Sequence, residues 1–424
     1  MKHITPTPFT NYQKLVIFLL AMTQFTVILD FMIMSPLGDM LMKSLSLTPT
    51  KFGVSVSAYA FSAGISGLLT AGFADKYDRK KLLLFFYTGF IVGTVACGLA
   101  NSYTFLLAAR IVTGLFGGVI GSISMAIVTD LFSLQQRGRV MGFLQMGFGA
   151  SQVLGIPISI WLANHWGWEA PFLSTAALAA FIAIIIKLKM MPVADHLALQ
   201  HERSVLAHLV ATVAKRDYRI GFTATALLSI GGFMMMPFSS AFAVNNLGVS
   251  HTQLPVLFMV SGICSLIIMP IIGKLSDRMS KFKLFAFASG WMMIVCVLYT
   301  NQSMIPFGLV ILFNVVMMMG IMGRMVPSIA LTSAIPDTAD RGAFMSINAS
   351  LQQIAGGVAA VIAGMIVYQE TPASPLQHYN VVGYVIVAVS VVSIALMYRV
   401  SNMISRRRSV TPDIKDDALK PATS

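Results

Sequence analysis

The chain predicts an all-α membrane protein: twelve transmembrane helices in two pseudo-symmetric six-helix bundles. Three observations carry this reading. Of 424 residues, 56% are apolar and only 11% charged, with mean hydropathy +0.79. Soluble domains carry about 25% charged residues, and this much apolar surface cannot be hidden inside a water-soluble globule of this size. The apolar residues also fall into segments of about twenty, the length a helix needs to cross a hydrocarbon core. Finally, landmarks of the first half recur about 200 residues later.

The elements follow in order. A short polar segment (1–11) leads into span 1 at about 14–37, and with no small-residue cleavage site after it no removable signal peptide is expected. Span 2 (52–74) ends at a cationic run over 76–81. Span 3 (82–100) and span 4 (103–130) are joined by a minimal turn around 100–102. Gln136, Arg137, Gly138 and Arg139 precede span 5 (140–163), and 164–168 turns the chain into span 6 (169–190). The one longer polar interruption covers 192–219. Spans 7 (220–244) and 8 (254–273) follow, then a basic loop, span 9 (282–300) and span 10 (304–334). Arg341 introduces span 11 (342–368), and span 12 (379–404) runs into the tail. The expected organisation is an N-terminal bundle (1–190), a central loop (191–219), a C-terminal bundle (220–404) and a tail (405–424).

The net charge of +13 is a record of topology. Of 29 lysines and arginines, all but Lys43, Lys51, Arg110 and Arg324 fall at the termini or in loops on one side of this span order. The positive-inside rule makes that side cytoplasmic and both termini with it. No nucleic-acid partner is needed to explain the surplus. Cys97, Cys264 and Cys296 all lie in apolar runs and build neither a disulfide framework nor a metal site. No metal and no cofactor are expected.

The halves echo one another. Asp75, Lys76, Asp78, Arg79, Lys80 and Lys81 after span 2 correspond to Asp277, Arg278, Lys281 and Lys283 after span 8, with Asp75 and Asp277 202 residues apart. Arg137-Gly138 corresponds to Arg341-Gly342 at an offset of 204. Two landmarks at nearly one spacing indicate two six-helix units in parallel. On these residues the chain resembles the major facilitator superfamily over essentially all twelve spans. The family signature Gly-x-x-x-Asp-Arg/Lys-x-Gly-Arg-Arg/Lys is met by Asp75, Lys76, Arg79 and Lys80, with Ala71 and Asp78 in place of its glycines. The second copy keeps Gly273, Asp277 and Arg278, with Ser280 at the later glycine position. A second motif is seen as Leu106, Arg110 and Gly114 in span 4, and the Gly-rich span-5 motif of proton-driven antiporters is partly present as Gly147, Gly149, Gly155 and Pro157. The nearest resemblance is to the drug/proton antiporter branch. It implies that a span-1 Asp and the span-4 Arg, here Asp30 and Arg110, belong to a proton-coupling site. It also implies a cytoplasmic gate, here Asp75, Arg79, Asp130, Asp277 and Arg278, in which the loop Arg pairs with the acid at the end of span 4.

The residues support such chemistry on their own terms. Asp30 is the one carboxylate well inside the hydrocarbon, about 24 Å from Lys14 at 1.5 Å per residue. Arg110 lies about 10 Å inside the other end of span 4, at comparable depth. Charges there are costly unless they pair or line a wet cavity. Arg keeps its proton, so a switching pair must switch at Asp30; the same two residues also suit a static ion pair holding span 1 against span 4. Arg324, about 16 Å from its end of span 10, has no acid nearby in its half and suits an anionic substrate, a carbonyl contact or an inward snorkel. The polar residues Thr23, Gln24, Thr26, Gln145, Gln152, Asn314, Asn348 and Gln352, with Met234 at the position related to Asp30, are expected to line a substrate cavity. Twenty-nine methionines suit a surface that accepts varied apolar shapes. Gly93, Gly98, Gly114, Gly117, Gly118 and Gly121 permit close helix packing.

The function expected is therefore alternating-access secondary transport: proton-coupled efflux of a hydrophobic or amphiphilic small molecule, by a monomer in a bacterial inner membrane, with the lipid bilayer its other partner and the proton its coupling ion. The alternative is an anionic or lipid-like substrate bound by Arg110 and Arg324. No phosphate loop, nucleophile elbow or His-rich cluster supports an ATP-driven or enzymatic role, and the repeat with a buried charge pair argues against a channel.

Overall fold

The computed structural model describes residues 8–70, 76–194, 197, 205–337 and 340–410. Among them are twelve helices long and apolar enough to cross a membrane: span 1 Asn11–Ile33, span 2 Pro49–Leu69, span 3 Arg79–Gly98, span 4 Tyr103–Leu131, span 5 Gln136–Trp166, span 6 Glu169–Lys189, span 7 Arg216–Asn245, span 8 Leu254–Arg278, span 9 Lys281–Thr300, span 10 Phe307–Thr332, span 11 Arg341–Ile366 and span 12 Tyr379–Arg406. Intra-helical bonding satisfies most of the backbone groups the hydrocarbon cannot solvate.

Boundaries move where local chemistry competes with hydropathy. Span 1 is capped by Thr10, whose hydroxyl accepts from the Gln13 amide while the Gln13 side chain accepts from the Thr10 amide, each at 3.1 Å. It ends at Ile33, before Ser35-Pro36, and a separate short helix, Gly38–Ser44, follows. Span 5 starts earlier than its apolar run and passes through one π turn at Ser151–Gly155. Span 7 is broken at Pro237 by a 3-10 turn, Met236–Phe238. The central stretch read as a polar interruption contains a further helix, Val205–Ala214.

Neighbouring spans repeat between the halves. Spans 1·5, 1·6, 2·4, 3·4 and 3·6 pack together, and so do 7·11, 7·12, 8·10, 9·10 and 9·12, each pair displaced by six. Two seams join the halves, span 2 against span 11 and span 5 against span 8, and they are each other's images under the same displacement. Small residues allow these approaches. A Cβ on Gly53 would stand 2.6 Å from the Ala360 carbonyl across the 2·11 seam. Within the first half, one on Gly114 would stand 2.1 Å from Ser62 Oγ and 2.4 Å from the Tyr59 carbonyl, and one on Gly118 2.4 Å from the Ala63 carbonyl.

The two ends of the bundle differ. One end, the cation-poor face, gathers the turns between spans 1 and 2, 3 and 4, 5 and 6, and their counterparts. There a single apolar cluster runs through both halves, joining Ile33, Met34, Leu37 and Phe52 to Met234, Phe238, Phe242 and Leu247. Toward the opposite, cation-rich face the clusters separate. One is built from spans 1, 3, 4, 5 and 6 and another largely from the second half, with Leu68 of span 2 packed against it. The halves are thus welded at the cation-poor face.

Gly114→Ala tests the packing account. Its methyl meets span-2 backbone that cannot yield, so the variant should lose about 1–3 kcal/mol, read as a lowered thermal midpoint of the purified protein. Gly142→Ala, where nothing lies within 4 Å of the new atom, should raise the midpoint slightly, because alanine is the better helix former.

Candidate functional site

Asp30, one turn before the end of span 1, and Arg110, two turns into span 4, come together inside the first half. Arg110 Nη1 donates to Asp30 Oδ2 at 2.9 Å and lies 3.5 Å from the Asp30 carbonyl, and neither side chain has any exposed surface. The guanidinium stacks 4.6 Å from the centre of the Tyr59 ring of span 2. Tyr59 has room because span 4 carries glycine there: a Cβ on Gly117 would stand 2.8 Å from its hydroxyl. The pair is compensated but incompletely bonded, since Asp30 Oδ1, Arg110 Nε and Arg110 Nη2 have no hydrogen-bond partner, nor does the buried Thr94 Oγ1 of span 3. It can hold one negative charge against one positive charge in a dry setting, and it retains unused bonding capacity. Tyr59 and Thr94 escaped the sequence reading; ordinary helix residues in type, they are singled out only by what they face.

The remaining candidates scatter. Thr23 and Thr26 do not face a cavity between the halves: Thr23 donates to the Leu19 carbonyl at 2.8 Å, and the Thr26 hydroxyl lies 2.8 Å from Tyr87 Oη of span 3. Their shared face was legible, but not which neighbour it meets. Gln24 is half-buried beside Gly121 of span 4. Gln145 is exposed, and Gln152 is half-buried at the 5·8 seam, where its carbonyl approaches Gly262. Asn314 spends its amide on the Val310 carbonyl of its own helix at 2.9 Å. Met234 is fully buried in the shared apolar cluster. Asn348 is buried with Oδ1 unpartnered, and Gln352 is half-buried.

Arg324 is apart from all of these. It is 2% exposed and lies among spans 7, 9, 10 and 12. Nη1 donates to Ser390 Oγ at 3.2 Å and touches Met292 Sδ at 3.0 Å, while Nε and Nη2 have no partner. It makes no ion pair among the described residues.

At the cation-rich face, Arg79 Nε meets Asp130 Oδ2 at 3.3 Å, the contact expected of the loop Arg and the end of span 4. Asp75 lies outside the described residues. Asp277 and Arg278, the second-half copy, are exposed and make no ion pair among the described residues. Asp78, which departs from the glycine of the motif, caps span 3 instead: Oδ1 accepts from the Lys80 amide at 2.8 Å and the Val193 amide at 3.3 Å. Helix Val205–Ala214 is tied to the start of span 11 through Asp340, which accepts from His208, Lys215 and Tyr218. Those three donors, His208 foremost, hold its carboxyl well below the usual carboxylate range.

A polar cluster that the sequence reading missed closes the cation-poor face. Asp39, in the short helix after span 1, accepts from Lys43 at 2.8 Å and, across the halves, from Asn245 at 2.7 Å and His251 Nε2 at 3.2 Å. Asn164 donates to the His251 carbonyl at 2.9 Å, and Ser35 bonds to Met236 and Ser239. Burial pushes the Asp39 carboxyl up, but hydrogen bonds from His251, Lys43 and Asn245 outweigh it and hold it below the usual range. The one available signal was the i,i+4 spacing of Asp39 and Lys43.

The model of the Major Facilitator Superfamily matches residues 20–360 and 221–422. An uncharacterised MFS-type transporter, YbcL of Bacillus subtilis (strain 168), is 24% identical over 252 residues, 59% of this chain and 63% of that protein. The matched region thus spans under two thirds of that relative. A probable sugar efflux transporter of Helicobacter pylori is 23% identical over 63% of this chain and 66% of its own. Among solved structures, a bacterial homologue of the human lysosomal transporter Spinster, inward-facing and unoccupied, superposes with a TM-score of 0.77 at 15% identity, covering 94% of this chain and 99% of that one; at that identity the likeness shows the fold alone.

Two outcomes follow from the geometry. Arg110→Gln strands a buried carboxylate and should cost about 3–5 kcal/mol, with much of the loss recovered in Asp30→Asn/Arg110→Gln, read as thermal midpoints. The Asp39 cluster should hold above the normal carboxylate range near pH 4 and fail as pH falls through the lowered value, because protonation removes the acceptor. Spin labels at Ser44 and Thr252 should report a longer distance across the cation-poor face in Asp39→Ala at pH 7, and in the native cluster only under strong acid.

Proposed function

The chain belongs to the Major Facilitator Superfamily, and from that premise we propose that it is a secondary active transporter working by alternating access, coupling proton movement to efflux of a hydrophobic or amphiphilic small molecule. The observation that carries the coupling is the fully buried Asp30–Arg110 pair. A carboxylate in low dielectric stays ionised beside a guanidinium and binds a proton once separated from it or left alone in a dry site. Arginine keeps its charge throughout, so Asp30 is the group that loads and unloads. Oδ1 of Asp30 has no partner to lose, so a proton there breaks no existing hydrogen bond.

The conformational cycle runs through the two faces. With the cation-rich face cytoplasmic, this conformation is sealed toward the outside by the shared apolar cluster and the Asp39 contacts. Opening that face draws span 1 away from the second half at Ser35, five residues from Asp30, and admits water toward the pair. Arg79–Asp130 at the other face ties span 3 to span 4 at the proposed cytoplasmic gate. The efflux direction draws support from the relative whose name states sugar efflux and from the partial antiporter motif. Twenty-nine methionines along the chain, with their flexible thioethers, suit apolar cargo of varied shape. A bacterial inner membrane with both termini inside completes the reading.

The test is transport of two amphiphilic dyes, cationic ethidium and anionic anilinonaphthalene sulfonate, in vesicles containing the purified protein. At least one dye should move in response to an imposed pH gradient, and Asp30→Asn should reduce that gradient-driven flux at least tenfold. Equal movement with and without the gradient, matched by the variant, would refute proton coupling.

A further inference from the structure

Arg324 occupies the middle of the membrane. Its contacts Met292 and Ser390 each lie eleven residues inside the ends of their spans, one counted from the cation-rich end and one from the cation-poor end, or about 16 Å from either face at 1.5 Å per residue. Substrate sites of such two-unit transporters lie near the midplane. An arginine there without a counter-ion is expensive, and the first half shows the alternative: Arg110 has Asp30 at 2.9 Å and the Tyr59 ring beneath it. The positions related to Asp30 and Arg110 by the 204-residue offset are Met234 and Asn314, so the buried guanidinium of the second half has no paired carboxylate among the described residues.

The bonding pattern says where an anion would go. Nη1 is anchored from behind by Ser390 and Met292. The two unpartnered donors, Nε and Nη2, form one edge of the planar group, the edge whose parallel N–H bonds match the two oxygens of a carboxylate. That edge approaches a stretch of span 7 without side chains: a Cβ on Gly231 would stand 3.8 Å from Nη2, and the next residue, Gly232, is exposed with nothing within 4 Å of its missing side chain. The residue after Gly232, Phe233, meets the Phe31 ring of span 1 with centroids 6.4 Å apart, so this end of the helical segment lies against the first half.

From this geometry we infer that Arg324 is the anion-recognition residue of the substrate site, taking the carboxylate of an amphiphile through its Nε–Nη2 edge beside Gly231. The inference rests on the transporter reading above and narrows its substrate class to anionic amphiphiles. It also separates the two arginines: Arg110 is neutralised within the protein and Arg324 by the cargo.

The experiment is equilibrium binding, without a pH gradient, to the full chain in phosphatidylcholine nanodiscs, using decanoate, decanol and decyltrimethylammonium as probes. The wild type should bind decanoate at least tenfold tighter than the other two. Arg324→Gln should erase that preference with decanol binding unchanged, and Arg324→Lys should restore part of it. Gly231→Ala, whose methyl makes only ordinary contacts at 3.6–3.8 Å, keeps the fold and the charge but covers Nη2; it should weaken decanoate binding several-fold. Absence of carboxylate preference in the wild type would overturn the proposal, as would its persistence in folded Arg324→Gln or wild-type affinity in Gly231→Ala. Loss of decanoate binding when anionic phosphatidylglycerol is added to the discs would also overturn it, assigning the edge to a lipid headgroup. Asp30→Asn should retain the preference, so that failure of proton coupling and failure of this site are told apart.

Discussion

A hydrocarbon core solvates neither amide groups nor charges, and most of this molecule follows from that constraint. It forces the chain into helices that satisfy their own backbones, and it makes each intramembrane charge a local problem needing a local answer. Asp30–Arg110 is the answer in the first half. The pair is dry, the guanidinium is flattened against Tyr59, and the glycines of span 4 bring that ring and the span-2 backbone close enough to enclose it. Spans 1, 2 and 4 are placed relative to one another by an interaction that works only at short range and without water.

Against that arrangement the second half is its image in backbone and its contrast in chemistry. The helix pairings repeat with a displacement of six, yet Met234 and Asn314 stand where the pair would be, and Arg324 lies deeper with one edge unbonded. The two faces are equally unlike. One is joined across the halves by apolar side chains and by Asp39 with its donors; toward the other, the cores part. A two-unit fold with its buried ion pair in one unit and its present seal at one face has the asymmetry a directional cycle needs.

Much of this was legible along the chain, for reasons of range. Span number, repeat and charge bias depend on composition over twenty residues or more, and these come through clearly. The partnership of Asp30 and Arg110 could be read from their comparable depth together with the resemblance, since so few charges compete for that depth. What escaped were choices made at the scale of one side chain. Thr23 and Thr26 share a face with Asp30, but helical spacing does not say that the face meets Tyr87. Asp78 looked like a damaged motif and is a helix cap that also holds the central loop at Val193. Asp39 and His251 are 212 residues apart, one in a short helix and one in a turn, and become partners only when the halves close on one another.

Composition, periodicity and charge order along the chain were therefore enough for the membrane, the twelve spans, the two units and the three intramembrane charges Asp30, Arg110 and Arg324, because each is an average or an exception within a long apolar segment. The folded bundle alone showed which neighbours the polar groups meet, left the edge of Arg324 unbonded and showed which face is sealed. Those outcomes depend on angles and distances between helices far apart in the chain, where a rotation of one helix by a single residue sends a side chain to a different neighbour.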